Sequence, residues 1–463
     1  MLRLNSTIHR AVVPFEPRDE GKVAMYVCGP TVQSEPHVGH GRSAVAFDVI
    51  RRYLIWRGYD MTYVRNITDI EDKIIAAAAE SGETVGVLAE RMAGRFASGY
   101  FALGVLAPDL EPKATEHIPE IIDMIQVLVD RGLAYPSDGD VYFSVRAFEG
   151  YGRLSGRNPD ELLSGYRIEV GESKRDPLDF ALWKGAKPGE PWWDSPWGEG
   201  RPGWHIECSA MAAKYLGEGF DIHGGGTDLI FPHHENEIAQ SEGATGTVFA
   251  RYWLHNGMVN LGGEKMAKST GNLVSLASIT EKHGGRALRL LFLRAHYRSP
   301  IDYSEELLTE SEDALDRLQR FRDRATGGEP EPTAIEQFTE AMDDDFGTPQ
   351  AVSLLFDLVR DGNRLLDDGG DASAVAGAVE SIVGVLGLDD ATLPGKVVLD
   401  LGDLPRRFGL EGDGEEVVDR LVDLRTRARE DRRYDDADAI REGLERVGVI
   451  LEDGPDGTRW IRK

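Results

Sequence analysis

The sequence predicts an α/β fold: a Rossmann-type parallel-sheet core split by an insertion, followed by a helical bundle and a small C-terminal module. Three observations carry this. Strand and helix patterns alternate from residue 23 to a helix beginning near Asp69, stop in an irregular stretch rich in Gly, Pro and aromatics, and resume at 204–243. The chain from Ser304 to 386 then keeps a helical period. After a further break come two charged helices and a hairpin-like end.

Taken in order, "VAMYVC" (23–28) is a short strand-like run, closed by the turn residues Gly29 and Pro30 and followed by a helical stretch from about Gly39 to Arg57. "MTYVRNIT" (61–68) is a second strand after Gly58, and strand, helix, strand in this order suits a parallel sheet covered by helices. Between about Pro108 and Pro202 the pattern is irregular and includes "PWWDSPW" (191–197), so this stretch reads as inserted. The alternation returns as helix "WHIECSAMAAKYL" (204–216), strand "FDIHGGG" (220–226) and helix "HHENEIAQSEG" (233–243). Ser304–Arg324 is helical, "ATGGEPEPTA" (325–334) a linker, and 335–386 helices broken by "DDGGDAS". "LDDATLPGK" (388–396) precedes helices 415–431 and 435–447 and the ending "GVILEDGPDGTRW". The expected division is 1–108 and 202–260 as halves of the core, 109–201 as the insertion, 261–310 as a connecting region, 311–400 as the bundle and 401–463 as the terminal module.

Length and composition agree with several cores. A chain of 463 residues suits about three or four domains at ~100–200 residues each, and 41% hydrophobic with 29% charged residues excludes global disorder. No signal-peptide h-region follows Met1 and no run of about 18 apolar residues occurs, so neither secretion nor membrane insertion is supported and a cytoplasmic location is the default. Cys28 and Cys208 are the only cysteines and are expected as reduced thiols. The net charge of −28, from 80 acidic and 52 basic residues, reads as a solvated surface. It argues against broad, nonspecific nucleic-acid binding, so any RNA contact must use local basic patches.

"HVGH" (37–40) sets two histidines around a glycine between the first strand and its helix, where backbone amides and the helix N-terminus favour phosphate. His37 and His40 could contact a nucleotide, and they read equally as caps or packing residues. "KMAKS" (265–269) offers Lys265, Lys268 and a serine in a Gly-flanked loop, suited to a clamp on departing pyrophosphate or to a solvated charge run. Cys28 ends a strand, and His233 and Glu237 stand at i, i+4 on one helix face, so these could converge with Cys208 on a metal. Spacing alone does not bring them together, and two lone cysteines read by themselves as buried structural residues.

In this order and context, the two signature segments resemble the HIGH and KMSKS motifs of class I aminoacyl-tRNA synthetases. The wider set "CGPTV" (28–32), "HVGHGR" (37–42), "RNITDIEDKI" (65–74), "PGWHIECSAM" (202–211), "HGGGTDLIFPHHENEIAQS" (223–241) and "KMAKSTGN" (265–272) is similar to cysteinyl-tRNA synthetases, essentially end to end. That resemblance implies ATP-dependent activation of L-cysteine to cysteinyl-adenylate and transfer of cysteine to tRNA(Cys). ATP would be gripped by His37, His40, Lys265 and Lys268, with Lys268 stabilising the transition state and Asp228 at the ribose. It implies one Zn²⁺ on Cys28, Cys208, His233 and Glu237, completed by the substrate thiolate, and Gly29, Thr68 and Trp204 as substrate-binding positions. For Thr68 and Trp204 core packing is the alternative. Zinc would choose thiolate over hydroxyl where a plain pocket separates near-isosteres by only about 1–3 kcal/mol. Mg²⁺ is expected with ATP, without a nameable protein ligand.

Residues 261–310 would then be the stem-contact region with the KMSKS-like loop, and 401–463 the anticodon-binding module. Arg425, Arg427, Arg429, Arg432 and Arg433 crowd within nine residues there. Phosphate contacts from Arg425 and Arg429 and base stacking by Tyr434 or Trp460 are implied, against an alternative in which these arginines pair with neighbouring acids. Arg286, Arg289, Arg294 and Arg298 form a second basic cluster that could meet the inner side of the tRNA arm. The expected partners are tRNA(Cys), L-cysteine and ATP, with no membrane and a monomeric chain.

Two places depart from the family pattern. Gln33, Ser34, Glu35 and Pro36 stand where an aromatic and an aspartate are usual, and Ala267 replaces a serine. Lysine is scarce, 12 against 40 arginines, so arginine is expected at several phosphate contacts. Two other readings remain. The ligase that joins cysteine to an amino sugar in mycothiol synthesis resembles the catalytic half but lacks this tail, and a non-catalytic zinc-dependent RNA-binding protein would not need intact "HVGH" and "KMAKS".

Overall fold

Val23, Met25 and Val27 enter one hydrophobic cluster while Ala24 and Tyr26, alternating with them, enter another. A strand with both faces buried belongs to a parallel sheet covered on both sides. The computed structural model describes residues 1–161, 173–261, 264–265, 274–389, 404–408, 410, 415–430, 433–446, 449–454 and 457–462. They fall in two units, Met1–Leu388 and Asp389–Lys463.

In the first unit a hairpin of β1 (Arg3–Ser6) and β2 (Ala11–Pro14) precedes β3 (Lys22–Val27), α1 (Val38–Trp56) and β4 (Asp60–Arg65). After helices α2 (Asp72–Ser81) and α3 (Val85–Ala102), α4 (Ile118–Asp130) packs with the antiparallel sheet β5 (Ala134–Ser137), β6 (Asp140–Phe143), β7 (Phe180–Gly185) and β8 (Gly200–Pro202) around a separate core. Then α5 (Trp204–Leu216), β9 (Phe220–Gly226), α6 (Glu235–Thr245) and β10 (Ala250–Asn256) complete the central sheet. Its order is β10-β9-β3-β4, and every pairing is parallel. Because β4 and β9 lie on opposite sides of β3, the chain reverses its direction of winding there. The crevice beyond the carboxyl ends of β3 and β9 is therefore where a doubly wound sheet receives ligand.

The predicted strand 61–68 ends at Arg65 instead. Asn66 turns its side chain to accept from the Gly29 amide at 2.9 Å, while Thr68 exchanges backbone hydrogen bonds with Pro30 and Val32. The following helix starts at Asp72 rather than Asp69, because the Asp69 carboxylate is committed to Thr115 and Glu71 caps the helix. The helix predicted from His233 starts at Glu235, preceded by a wide turn, Ile230–His234, in which Phe231 is extended.

Val259–Leu261 pairs parallel with Ile301–Tyr303, and helices Leu276–His283 and Gly285–Leu293 lie between them in sequence. Four longer helices follow, Glu305–Arg324, Pro332–Asp343, Thr348–Asp367 and Ser373–Leu386. Here the basic cluster read after "KMAKS" is corrected. Arg289 is fully buried and donates to Leu386 O (2.7 Å), Leu103 O (3.1 Å) and the Asp48 carboxylate (2.5 Å), so it ties α1 to the bundle and cannot meet RNA. Arg294 and Arg298 pair with Glu310 (3.4 Å) and Asp345 (2.6 Å).

The second unit holds helices Leu404–Arg407, Glu415–Glu430 and Tyr434–Arg446 and a hairpin of Val449–Gly454 with Gly457–Arg462. Val418, Leu421, Ile440, Leu444 and Val449 make its core. Arg425 is only 5% exposed, which withdraws it as a surface contact, whereas Tyr434 is 58% exposed.

Candidate active site and metal centre

The crevice at the sheet's switch point is a cavity of about 350 Å³, lined by Cys28 and Gly29 after β3, His37 and His40 at the start of α1, Trp204 at the start of α5, and Asp228 after β9. Six of the sequence-selected residues thus meet in one place. Gly29 has to be glycine because a Cβ there would overlap the Asn66 carbonyl. Thr68 is buried behind this wall, with its hydroxyl 3.4 Å from Asn66 Nδ2. Lys268 and the Lys265 side chain lie outside the described residues, as do Arg432 and the Trp460 side chain.

His37 caps α1: its Nδ1 accepts from the Gly39 amide at 3.1 Å, and His40 Nδ1 accepts from the His37 amide at 3.2 Å. Burial pushes both pKa values down, His37 against the opposing pull of Asp228 and His40 to about 3. Neutral rings that accept at Nδ1 carry their proton on Nε2, so each offers one N–H donor beside a helix N-terminus, the chemistry a phosphate oxygen needs. Capping and ligand binding, posed above as alternatives, use different nitrogens of the same ring.

At the part of the cavity lined by Cys28, the residues Cys28, Cys208, His233 and Glu237 offer donor atoms all within 4.8 Å of one another. Cys28 Sγ is 3.6 Å from Cys208 Sγ and 3.3 Å from Glu237 Oε1, and His233 Nε2 is 3.1 Å from that oxygen. Tetrahedral zinc with thiolate, imidazole and carboxylate ligands has donor separations of about 3.8 Å between sulfurs and roughly 3.3–3.5 Å otherwise, so the spacing fits zinc. So does the chemistry. Burial and the neighbouring Cys208 drive the Cys28 thiol well above its ordinary pKa, and a thiolate there needs a cation beside it.

A second set, Cys28, His223, His234 and Glu237, shares two donors with the first. His234 bonds a neighbour through Nδ1 and leaves Nε2 buried, without a hydrogen-bond partner among the described residues, 3.9 Å from Glu237 Oε1. His234 Nδ1 is 2.8 Å from His255 Nε2, and His255 Nδ1 is 2.7 Å from the Thr7 hydroxyl. His223 stacks on Trp253 with ring centres 4.3 Å apart and donates Nε2–H to Glu237 Oε2 at 2.8 Å. The carboxylate is thereby oriented with Oε1 inward. Burial alone would raise the Glu237 pKa, but His223, which donates to it, and the hydrogen bond from Cys28 help to bring it below its ordinary value. On His233 the outer nitrogen Nδ1 is 2.9 Å from His205 Nδ1. Burial lowers both rings to about 3. If His233 Nε2 is a ligand, its Nδ1 must carry the proton and donate to His205.

His205, His223 and Asn66 were not selected from the sequence as site residues. Their signal was available, since each abuts a selected motif: His205 follows Trp204, His223 opens "HGGG" and Asn66 precedes Thr68 by two. What spacing does not supply is direction. Trp204 closes the arrangement from the cavity side, its ring 4.3 Å from that of His233.

Residues 14–313 match the family model described as tRNA synthetases class I (C) catalytic domain, and residues 337–389 match the DALR domain. The cysteine–tRNA ligase of Alkalilimnicola ehrlichii is 51% identical over 474 residues, covering 100% of both chains. That of Pseudomonas entomophila is 50% identical over 468 residues, covering 99% of each. Among solved structures, the methionyl-tRNA synthetase of Mycobacterium tuberculosis bound by methionyl-adenylate superposes with a TM-score of 0.60 at 16% identity, over 85% of this chain and 98% of that one.

Proposed function

The chain belongs to the cysteine–tRNA ligase family, class I synthetases that join cysteine to tRNA, and from this premise we infer that it activates L-cysteine with ATP to cysteinyl-adenylate before charging tRNA(Cys), using zinc to select the thiol. The convergence of Cys28, Cys208, His233 and Glu237 carries this reading. A zinc ion held by those four would supply a soft Lewis-acid position that takes a thiolate in preference to the hydroxyl of serine.

The chain's own residues do the rest. Trp204 packs beside the bound amino acid, and Gly29, held against the Asn66 carbonyl, forms part of the wall it meets. Asp228 takes the ATP ribose, and the Nε2–H groups of His37 and His40 hold phosphate oxygens as the cysteine carboxylate attacks the α-phosphorus and pyrophosphate leaves. Lys265 and Lys268 balance the charge on the departing pyrophosphate, with Mg²⁺ travelling on ATP. The terminal ribose hydroxyl of tRNA then attacks the adenylate carbonyl and AMP departs. In this scheme 1–108 and 202–260 form the catalytic core, 109–201 is the insertion, 261–310 contacts the tRNA stem, 311–400 is the bundle, and 401–463 reads the anticodon through Arg429, Tyr434 and Trp460.

The test combines zinc analysis of the purified protein with cysteine-dependent exchange of pyrophosphate into ATP and charging of tRNA(Cys). About one zinc per chain, exchange and charging are expected. Ligation of cysteine to an amino sugar without charging would overturn the reading.

A further inference from the structure

Ala24, Tyr26 and Cys28 alternate along β3 and just past it, and together they meet α5, the helix that carries Cys208, in one hydrophobic cluster. Tyr26 is fully buried, yet its hydroxyl has no hydrogen-bond partner among the described residues. A phenol in a core ordinarily finds an acceptor. Of the acceptors around Tyr26, Cys208 acts on it most strongly: after burial, its charge is the largest influence pushing the phenol well above its ordinary pKa, ahead of Cys28 and Glu237. A further acceptor is His223 Nδ1, also buried and without a partner, on a ring whose centre is 5.4 Å from that of Tyr26.

Charge decides between the sulfur and the imidazole. Cys28, Cys208 and Glu237 are anionic when they hold a divalent ion, three negative charges against two positive, and the substrate thiolate brings one more. A buried centre with that balance needs N–H or O–H donors around its anionic ligands. Glu237 has such a donor in His223 Nε2–H, at 2.8 Å. Among the described residues no N–H group donates to Cys208 Sγ, and Asn66 presents a carbonyl oxygen to it at 3.6 Å.

We propose that the Tyr26 hydroxyl donates to the Cys208 thiolate when the metal is bound, which makes Tyr26 a positioning residue for the ion that selects cysteine. The inference rests on the zinc reading given above. A neutral thiol accepts hydrogen bonds weakly and a thiolate strongly, so this bond belongs to the metal-bound state. Tyr26 therefore strengthens metal binding without stabilising the metal-free fold.

The experiment compares the full chain with Tyr26→Phe, which keeps the ring and removes only the hydroxyl. Zinc affinity is measured by competition with a chromophoric chelator, the visible spectrum is recorded after cobalt replaces zinc, and the metal-free proteins are unfolded in urea. The variant is expected to bind zinc about tenfold more weakly. Its sulfur-to-cobalt charge-transfer band moves to lower energy, because a thiolate that accepts no hydrogen bond holds its electrons less tightly. The metal-free urea midpoint stays at or above that of the wild type. Equal zinc affinity overturns the proposal. So does a band that does not move, which would put the hydroxyl on His223 instead of the sulfur, and so does a lowered metal-free midpoint, the mark of packing alone. Wild-type protein that binds no zinc would instead remove the metal reading on which the role of Tyr26 depends.

Discussion

The sulfurs of Cys28 and Cys208 lie 3.6 Å apart although 180 positions separate them in the chain. One follows the central strand β3 and the other sits on α5, which packs over it. Replacing Cys208 by serine removes a thiolate from a four-donor set and leaves the remaining three too hard and too few for tight zinc binding. Metal content is expected to fall from about one zinc per chain to a small fraction, with discrimination against serine falling and the KM for ATP unchanged. Full zinc occupancy in Cys208→Ser would remove this centre from the mechanism.

His223 acts on the same centre through Glu237, whose Oε2 it holds at 2.8 Å. His223→Ala frees the carboxylate to rotate and is expected to weaken zinc binding by about 10–100-fold. The KM for cysteine should rise more than kcat falls. His223→Gln restores an N–H donor and should recover much of the affinity, a rescue that a purely packing role on Trp253 would not give. Competition with a chromophoric chelator measures both variants.

How far the sequence reaches follows from these residues. The α/β class, the split core and the helical tail were legible because period 2 and period 3.6 leave marks within a short window, as in "VAMYVC" and "WHIECSAMAAKYL". The identity of the metal-site candidates was legible only through the family motifs. Nothing in local spacing says that β3 and α5 bring Cys28 to Cys208. The direction of individual side chains was not legible at all. Arg289 and Arg298 look alike in a basic cluster, yet one is buried against Asp48 and the other lies at the edge on Asp345. The strand read through Thr68 stopped early because Asn66 has a partner far away in sequence, Gly29, that no propensity encodes.

Asp48 is the acid on which two buried arginines depend, with Arg289 at 2.5 Å and Arg52 at 2.7 Å. Burial alone would raise its pKa, but Arg289, Arg52 and the Leu106 amide outweigh that and hold it below the usual carboxylate range. A depressed carboxylate stabilises the fold above its unfolded pKa of about 3.9 and loses that contribution as pH falls through the lower folded value. Asp48→Asn leaves the arginines uncompensated and should cost about 3–5 kcal/mol near neutrality. The gap between the urea midpoints of wild type and variant should therefore narrow as pH is lowered below about 4. A gap that stays constant down to the acid limit would show that the carboxylate charge is not what matters.

The candidate groups for cysteine activation that are described all lie within Met1–Leu388, which contains the central sheet and its hydrophobic clusters. The remaining unit has a core of its own around Val418, Leu421 and Leu444. A chain ending at Leu388 should therefore keep cysteine-dependent pyrophosphate exchange within a few-fold of the full protein. Charging of tRNA(Cys) should fall by about a hundredfold or more, equivalent to roughly 3 kcal/mol of RNA binding. Raising tRNA concentration should recover part of the charging rate, because the deficit is in binding and not in the attack on the adenylate. If the truncated chain charged tRNA as efficiently as the full one, the C-terminal module would have no part in holding RNA, and Arg429, Tyr434 and Trp460 would revert to structural residues.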